Sequence, residues 1–326
     1  MNRNSVNSRG FSLTELLVAM VIGLLLLAGL VTLMVNSKKN YAQQDYSARL
    51  QENARFAVEF LSYDIRMAGF YGCSNEIIND NTVTPISATD SGNGNPDSLT
   101  VTHGEPYEPG QEVLLDAAAA ADATTLSLND VPTDWSDTDT LLVGDCGSTA
   151  VADITSGGIN TGTDEVTVAP RNGSFRRVFN PAAEDSGPIT VRRLVSNEYC
   201  IEIGESQVPT LYRESDPTSA CSAASPELVE GVENIQLLYQ SLAGGNFVIG
   251  SGSLPANLAA VQFAALVRSV SNENLDNREY GSGADITENH GPGEPLLDQD
   301  VSAVTGTIRG QRRVFNSTLA VRNRSL

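Results

Sequence analysis

Histidine is scarce in this chain. His103 and His290 are the only two among 326 residues, and both stand far from every cysteine in sequence. Two isolated imidazoles furnish neither a Ser-His-Asp nor a Cys-His nucleophile system, and they leave a zinc site short of ligands. There is no CxxC pair, no P-loop, no glycine fingerprint after a strand and no HExxH helix. Basic residues are few as well, 20 Lys and Arg against 40 Asp and Glu, for a formal net charge of -20. Such a chain repels phosphate backbones at long range, which disfavours general nucleic-acid binding. These absences argue against an enzyme, a cofactor and a metal centre. The stretch DSGNGNPD (90–97) is rich in oxygen ligands, but it lacks the spacing and closing glutamate of a calcium loop. The remaining acids are scattered and read as solvated surface.

Four cysteines are present: Cys73, Cys146, Cys200 and Cys221. In an exported domain an even count reads as disulfides, and four cysteines allow three pairings. Cys200 with Cys221 closes the shortest loop and is preferred, which leaves Cys73 with Cys146. Four buried free thiols are the alternative until the compartment is known.

The amino terminus bears on the compartment. Phe11 to Val35 is a run of 25 residues whose only charge is Glu15, long enough as a helix to cross a hydrocarbon core. A short leader, MNRNSVNSRG, carries Arg3 and Arg9 ahead of it. Positive flanks stay in the cytoplasm, so the bulk of the chain belongs on the far side. A secretory signal would have a shorter apolar run and small residues after it. Here the small residue, Gly10, comes before the run. A glutamate inside a span is penalised by about 2.5–3.5 kcal/mol, so it calls for a paired, functional role.

The order Gly10, Phe11, Ser12-Leu13-Thr14-Glu15 after a basic leader resembles the type III signal of type IV pilins and pseudopilins. In that family a prepilin peptidase cuts after the glycine and methylates the new amino terminus. The resemblance therefore implies cleavage between Gly10 and Phe11, N-methylation of Phe11, and a docking role for Glu15 toward the amine of a neighbouring subunit. Cleavage removes Arg3 and Arg9, two positive charges, and takes the net charge from -20 to -22.

Beyond the span the text turns amphipathic. Tyr46, Leu50, Ala54, Ala57, Leu61, Ile65 and Ala68 recur at steps of three and four, while Arg49, Glu52, Arg55, Glu59 and Arg66 fall largely off that stripe. No proline interrupts Phe11 to Phe70, and Gly69 and Gly72 supply a stop. The pattern predicts one helix from Ser12 to Ala68. Strands are expected at Ser98–Thr102, Thr124–Leu128, Thr140–Val143, Glu165–Val168 and Ile189–Leu194. Further strands are expected at 199–203, 210–214, 232–240, 259–270 and 312–323. Asn79–Asp97 and Ser156–Asp164 read as loops or strand insertions, Ser271–Val301 as a long surface loop, and Ala117–Ala121 as a loop rather than one helical turn. RRVFN occurs twice, at Arg176–Asn180 and Arg312–Asn316. Two similar edge strands explain the repeat. A basic patch formed with Arg192 and Arg193, for an acidic partner or DNA, fits the chain's net charge less well.

A narrower resemblance covers both ends of the chain. AVEFLSYDIRMAGFYGC (57–73), then LYR, VENIQLLY, VQFAALVRS and a terminal RRVFNSTLAVRN, is similar to the PilW group of type IV pilus minor pilins. It implies an α+β, pilin-like fold in which one sheet wraps one long helix. The expected divisions are leader 1–10, membrane half 11–35, amphipathic half 36–69, variable β-rich insertion 70–198 and carboxy-terminal sheet 199–326. The resemblance also implies a non-enzymatic subunit of a tip complex that primes filament assembly and supports adhesion and twitching motility. Its partners would be other minor pilins, the major pilin, the peptidase, an inner-membrane assembly platform and a tip adhesin. The implied location is the inner membrane of a Gram-negative bacterium, head in the periplasm, and then the pilus tip. A tip pseudopilin of a type II secretion system, or a membrane-anchored adhesive module, are the alternatives.

Overall fold

The structure, a computed structural model, describes residues 13–74, 76–89, 96–105, 111–183, 187–204, 208–216, 219–241, 247–249, 252–253, 258–268 and 312–321. The chain divides into two compact units, Met1–Arg49 and Leu50–Leu326. One helix, α1 (Leu13–Met67), contributes to both. Its 55 residues give a length of about 80 Å at ~1.5 Å per residue.

In the first unit the side chains of α1 stand exposed from Leu13 to Asn40, apart from half-buried Gly23. In the second unit the expected stripe is buried: Leu50, Ala54, Ala57, Leu61, Ile65 and Ala68 are each at most 1% exposed. The helix stops where the stripe ends. Gly69 takes φ 70°, a left-handed conformation that glycine adopts without strain, and its N–H turns to Thr102 O at 3.0 Å.

The strands in chain order are β1 (Ile86–Thr89), β2 (Ser98–Gly104), β3 (Thr125–Ser127), β4 (Thr140–Gly144), β5 (Thr149–Asn160), β6 (Glu165–Pro170), β7 (Thr190–Ile203), β8 (Pro209–Glu214), β9 (Glu227–Glu230), β10 (Val232–Ser241), β11 (Val248–Ile249), β12 (Gly252–Ser253), β13 (Leu258–Arg268) and β14 (Arg312–Ala320). Among the described residues the single sheet expected from sequence is two. One has ten strands, ordered β12-β1-β2-β7-β4-β5-β6-β3, with β8 beside β7 and β9 beside β8. The other is β11-β10-β13-β14, antiparallel throughout. The class is α+β: one long amino-terminal helix with antiparallel sheets.

Each core has its own membership. The first gathers the buried stripe of α1 with Ile86, Val101, Tyr199, Leu211, Ile235, Phe263 and others from both sheets. The second has its buried members within residues 113–191, around Leu126, Leu141, Ile154, Val166, Trp135, Phe175 and Phe179, with Ile78 packed against them. Strand β7 belongs to both, through Tyr199 in the first and Val191 in the second. The expected strands at 189–194 and 199–203 are therefore one 14-residue strand, and the expected division at 198/199 falls inside it.

Two open readings are decided. Ser156–Asp164, read as a loop or strand insertion, begins as the end of β5, whose register to β6 shifts between Ile154 and Ile159. Asn79–Asp97, read the same way, holds β1, which pairs with β2. Ala117–Ala121 is irregular, with one bridge from Ala119 to Phe179.

Candidate functional site

Gly10 and Phe11 lie outside the described residues. Glu15 opens α1 in its first turn, where backbone N–H groups favour a negative charge. It is exposed, and Leu13, Leu16, Leu17 and Val18 around it are 53–77% exposed. The apolar stretch that follows is long enough to cross a membrane, and none of it is buried within the protein. The arrangement is a lone carboxylate at the head of an unpacked apolar rod.

The four cysteines form two bridges. Cys73–Cys146 joins the turn after α1 to the β4–β5 turn, with Cα atoms 4.5 Å apart. Its surroundings are held by Asp145, which accepts from Gly147 N (2.8 Å), Ser148 N (2.9 Å) and Arg177 Nη2 (2.8 Å). Cys200–Cys221 ties β7 to the segment between β8 and β9. Beside it, Cys221 N donates to Glu198 Oε2 at 3.0 Å.

Sequence reasoning missed a latch beneath the helix. Asp64 is 2% exposed and accepts at one oxygen from Asn197 Nδ2 (2.7 Å) and Tyr199 Oη (2.6 Å), both on β7. Burial, and then the nearby Asp64 charge, raise the Tyr199 pKa well above the ordinary tyrosine range, so the phenol keeps the proton it donates. A signal was available, because Asp64 falls on the same helical arc as Ala57, Leu61 and Ile65.

The second core has a polar clamp of its own. Asn79, 1% exposed, exchanges two hydrogen bonds with the Val151 backbone, 2.8 Å each way. Arg171 reaches Asp80 (2.9 Å), Asp153 (3.0 Å) and Thr140 (3.3 Å), joining three segments. Burial would raise the Asp80 carboxyl, but hydrogen bonds from Thr82 and Arg171 outweigh it and hold its pKa below the ordinary value.

The two RRVFN copies differ. Arg312–Asn316 is the start of β14, an end strand of the smaller sheet. Arg176–Asn180 is not a strand: Arg176 has φ 61°, Arg177 stacks over the Phe179 ring at 5.1 Å, and Phe179 fills the second core. Four of the arginines proposed for a basic patch are already engaged. Arg177 pairs with Asp145, Arg193 with Glu105 at 2.8 Å, and Arg312 with Glu233 at 2.7 Å, while Arg192 donates to Glu105 O at 3.0 Å. His103 is buried in β2, and His290 lies outside the described residues. Among the described residues no group of three or more His, Cys, Asp and Glu is placed to hold a metal ion.

A solved type IV-like pilin from Thermus thermophilus is similar to this chain at 12% identity and a TM-score of 0.39, over 85% of this chain and 99% of that one. No curated protein matches the sequence. Residues 6–31 match the model of the prokaryotic N-terminal methylation motif, a segment that takes in Gly10, Phe11 and Glu15 and runs on into α1.

Proposed function

We propose that the protein is a minor pilin of a type IV pilus, cut after Gly10 and methylated at Phe11. The observation that carries this reading is the methylation motif at 6–31, which overlaps the start of α1, a helix whose second half is built into a folded head. The first half holds the precursor in the inner membrane and then enters the filament. Glu15 supplies the counter-charge for the Phe11 amine of an adjacent subunit. The head takes its place with other minor pilins in a tip complex that primes assembly and presents an adhesin, supporting attachment and twitching motility. Its own chemistry is structural; it is the substrate of the peptidase.

Amino-terminal mass spectrometry of the mature protein tests the reading. N-methylphenylalanine at residue 11 is expected, and a chain still beginning at Met1 or cut elsewhere would sink it. The role of Glu15 is tested separately. Glu15→Ala should leave processing intact and reduce recovery in sheared filaments by about tenfold, the size of one lost charge pair of ~1.4 kcal/mol.

A further inference from the structure

Lysine occurs at only two positions in the chain, Lys38 and Lys39, against eighteen arginines. Both are exposed on α1. They are the first charges after Glu15, and the 22 residues between, Leu16 to Ser37, carry none. At ~1.5 Å per residue that uncharged stretch measures about 33 Å, against a hydrocarbon core of ~30 Å. Glu15 and the lysine pair therefore bracket a single bilayer thickness.

The pair has no counter-charge on its own helix. The positions three and four residues away are Met34, Val35, Asn36, Tyr41, Ala42 and Gln43, none of them acidic. The next acid along the helix, Asp45, is taken by Arg49 at 3.0 Å. Tyr41, 75% exposed and one turn beyond Lys38, adds an amphipathic ring at the same level. The long lysine stems let apolar carbons lie along the membrane while the ammonium reaches the phosphates.

We propose that Lys38 and Lys39 bind the headgroups of anionic phospholipids at the membrane face opposite the leader. They thereby fix the depth at which the Gly10–Phe11 junction and Glu15 meet the other face. The inference rests on the membrane-spanning role assigned to α1 above. A lipid is favoured over an acidic protein because the pair follows directly on the span, at headgroup level, in a helix whose neighbouring surface is bare.

The test uses the full chain in two kinds of vesicle, phosphatidylcholine alone and phosphatidylcholine with phosphatidylglycerol at about one part in three. Since the pair holds all the lysine side chains, a membrane-impermeant amine reagent added on the head side reports on it alone. Labelling should slow severalfold when phosphatidylglycerol is present. By native mass spectrometry, Lys38→Gln/Lys39→Gln should retain about two fewer phosphatidylglycerol molecules. Lys38→Arg/Lys39→Arg should retain them, and Arg49→Gln should match the unaltered chain. Equal labelling in both vesicles, or unchanged retention in the glutamine variant, would overturn the proposal. So would protection seen only in assembled filaments, which would make the partner an acidic subunit. None of these readouts depends on N-methylation, so failure here is distinguishable from failure of the pilus reading.

Discussion

Asp64 concentrates more consequence than any other single side chain of the head. Its charge is buried on the helix and answered by two donors from β7. Removing it leaves the Tyr199 hydroxyl and the Asn197 amide without their acceptor, so Asp64→Ala should lower stability by about 2–4 kcal/mol in chemical denaturation. The raised Tyr199 pKa has a consequence of its own. Above pH 10, the ordinary tyrosine value, an unfolded chain loses this proton while the folded one keeps it, so folding stability falls as pH rises. Tyr71, raised by burial, acts the same way. Thermal unfolding followed from pH 9 to 11 should lose stability at up to ~1.4 kcal/mol per pH unit for each of the two. Tyr199→Phe should remove its share of that slope, and an unchanged slope would count against the assignment. Asp64 lay on the buried arc of the helix and Tyr199 opened an expected strand, but nothing in the sequence pairs two residues 135 positions apart.

Among the elements, α1 was the most legible, because the 3.6-residue period of small and large apolar residues is uninterrupted and its stop is marked by glycine. Of the strands facing it, β2, β8, β10 and β13 were legible too, being apolar or alternating, while the short β1 and β9 were not. In the second core β3, β4 and β6 stood at the expected 124–128, 140–143 and 165–168, and β5 was the strand missed. Strand β5 contributes Ala150, Ala152 and Ile154 to this core and then passes through Ser156, Gly157 and Gly158, with Gly157 at φ 72°, so its two-residue period rests on small alanines and stops at the glycines. Strand β7 was split in two by its polar centre, Ser196, Asn197 and Glu198, although Asn197 is buried to hold Asp64. The two larger cores share no buried member and are joined by a small cluster of Tyr71, Leu142 and Val151, which predicts largely separable stability. Removing 111–187 together with Cys73→Ser leaves the strands around the helix and the Cys200–Cys221 bridge in place. That truncated chain should still melt cooperatively with the bridge formed. If it incorporates into filaments but fails in attachment, the removed part carries adhesion; aggregation on expression would show that the cores are not independent.

For the whole molecule, the two bridges differ in reach. Chain-entropy arguments give about 4 kcal/mol for a separation of 73 residues and about 3 kcal/mol for 21. Replacing Cys73 and Cys146 by serine should therefore lower the denaturation midpoint more than replacing Cys200 and Cys221. The wider bridge also sets how the molecule answers to pulling. Fully extended, 73 residues would pay out roughly 240–260 Å of chain. With Cys73 joined to Cys146, that length is locked away: a force entering along α1 passes into the β4–β5 turn through one covalent step, and β1 and β2 carry no tension in series with it. A molecule tethered by its helix and loaded beyond Cys146 is thus short and stiff when oxidised. When reduced, it has a long extensible reserve.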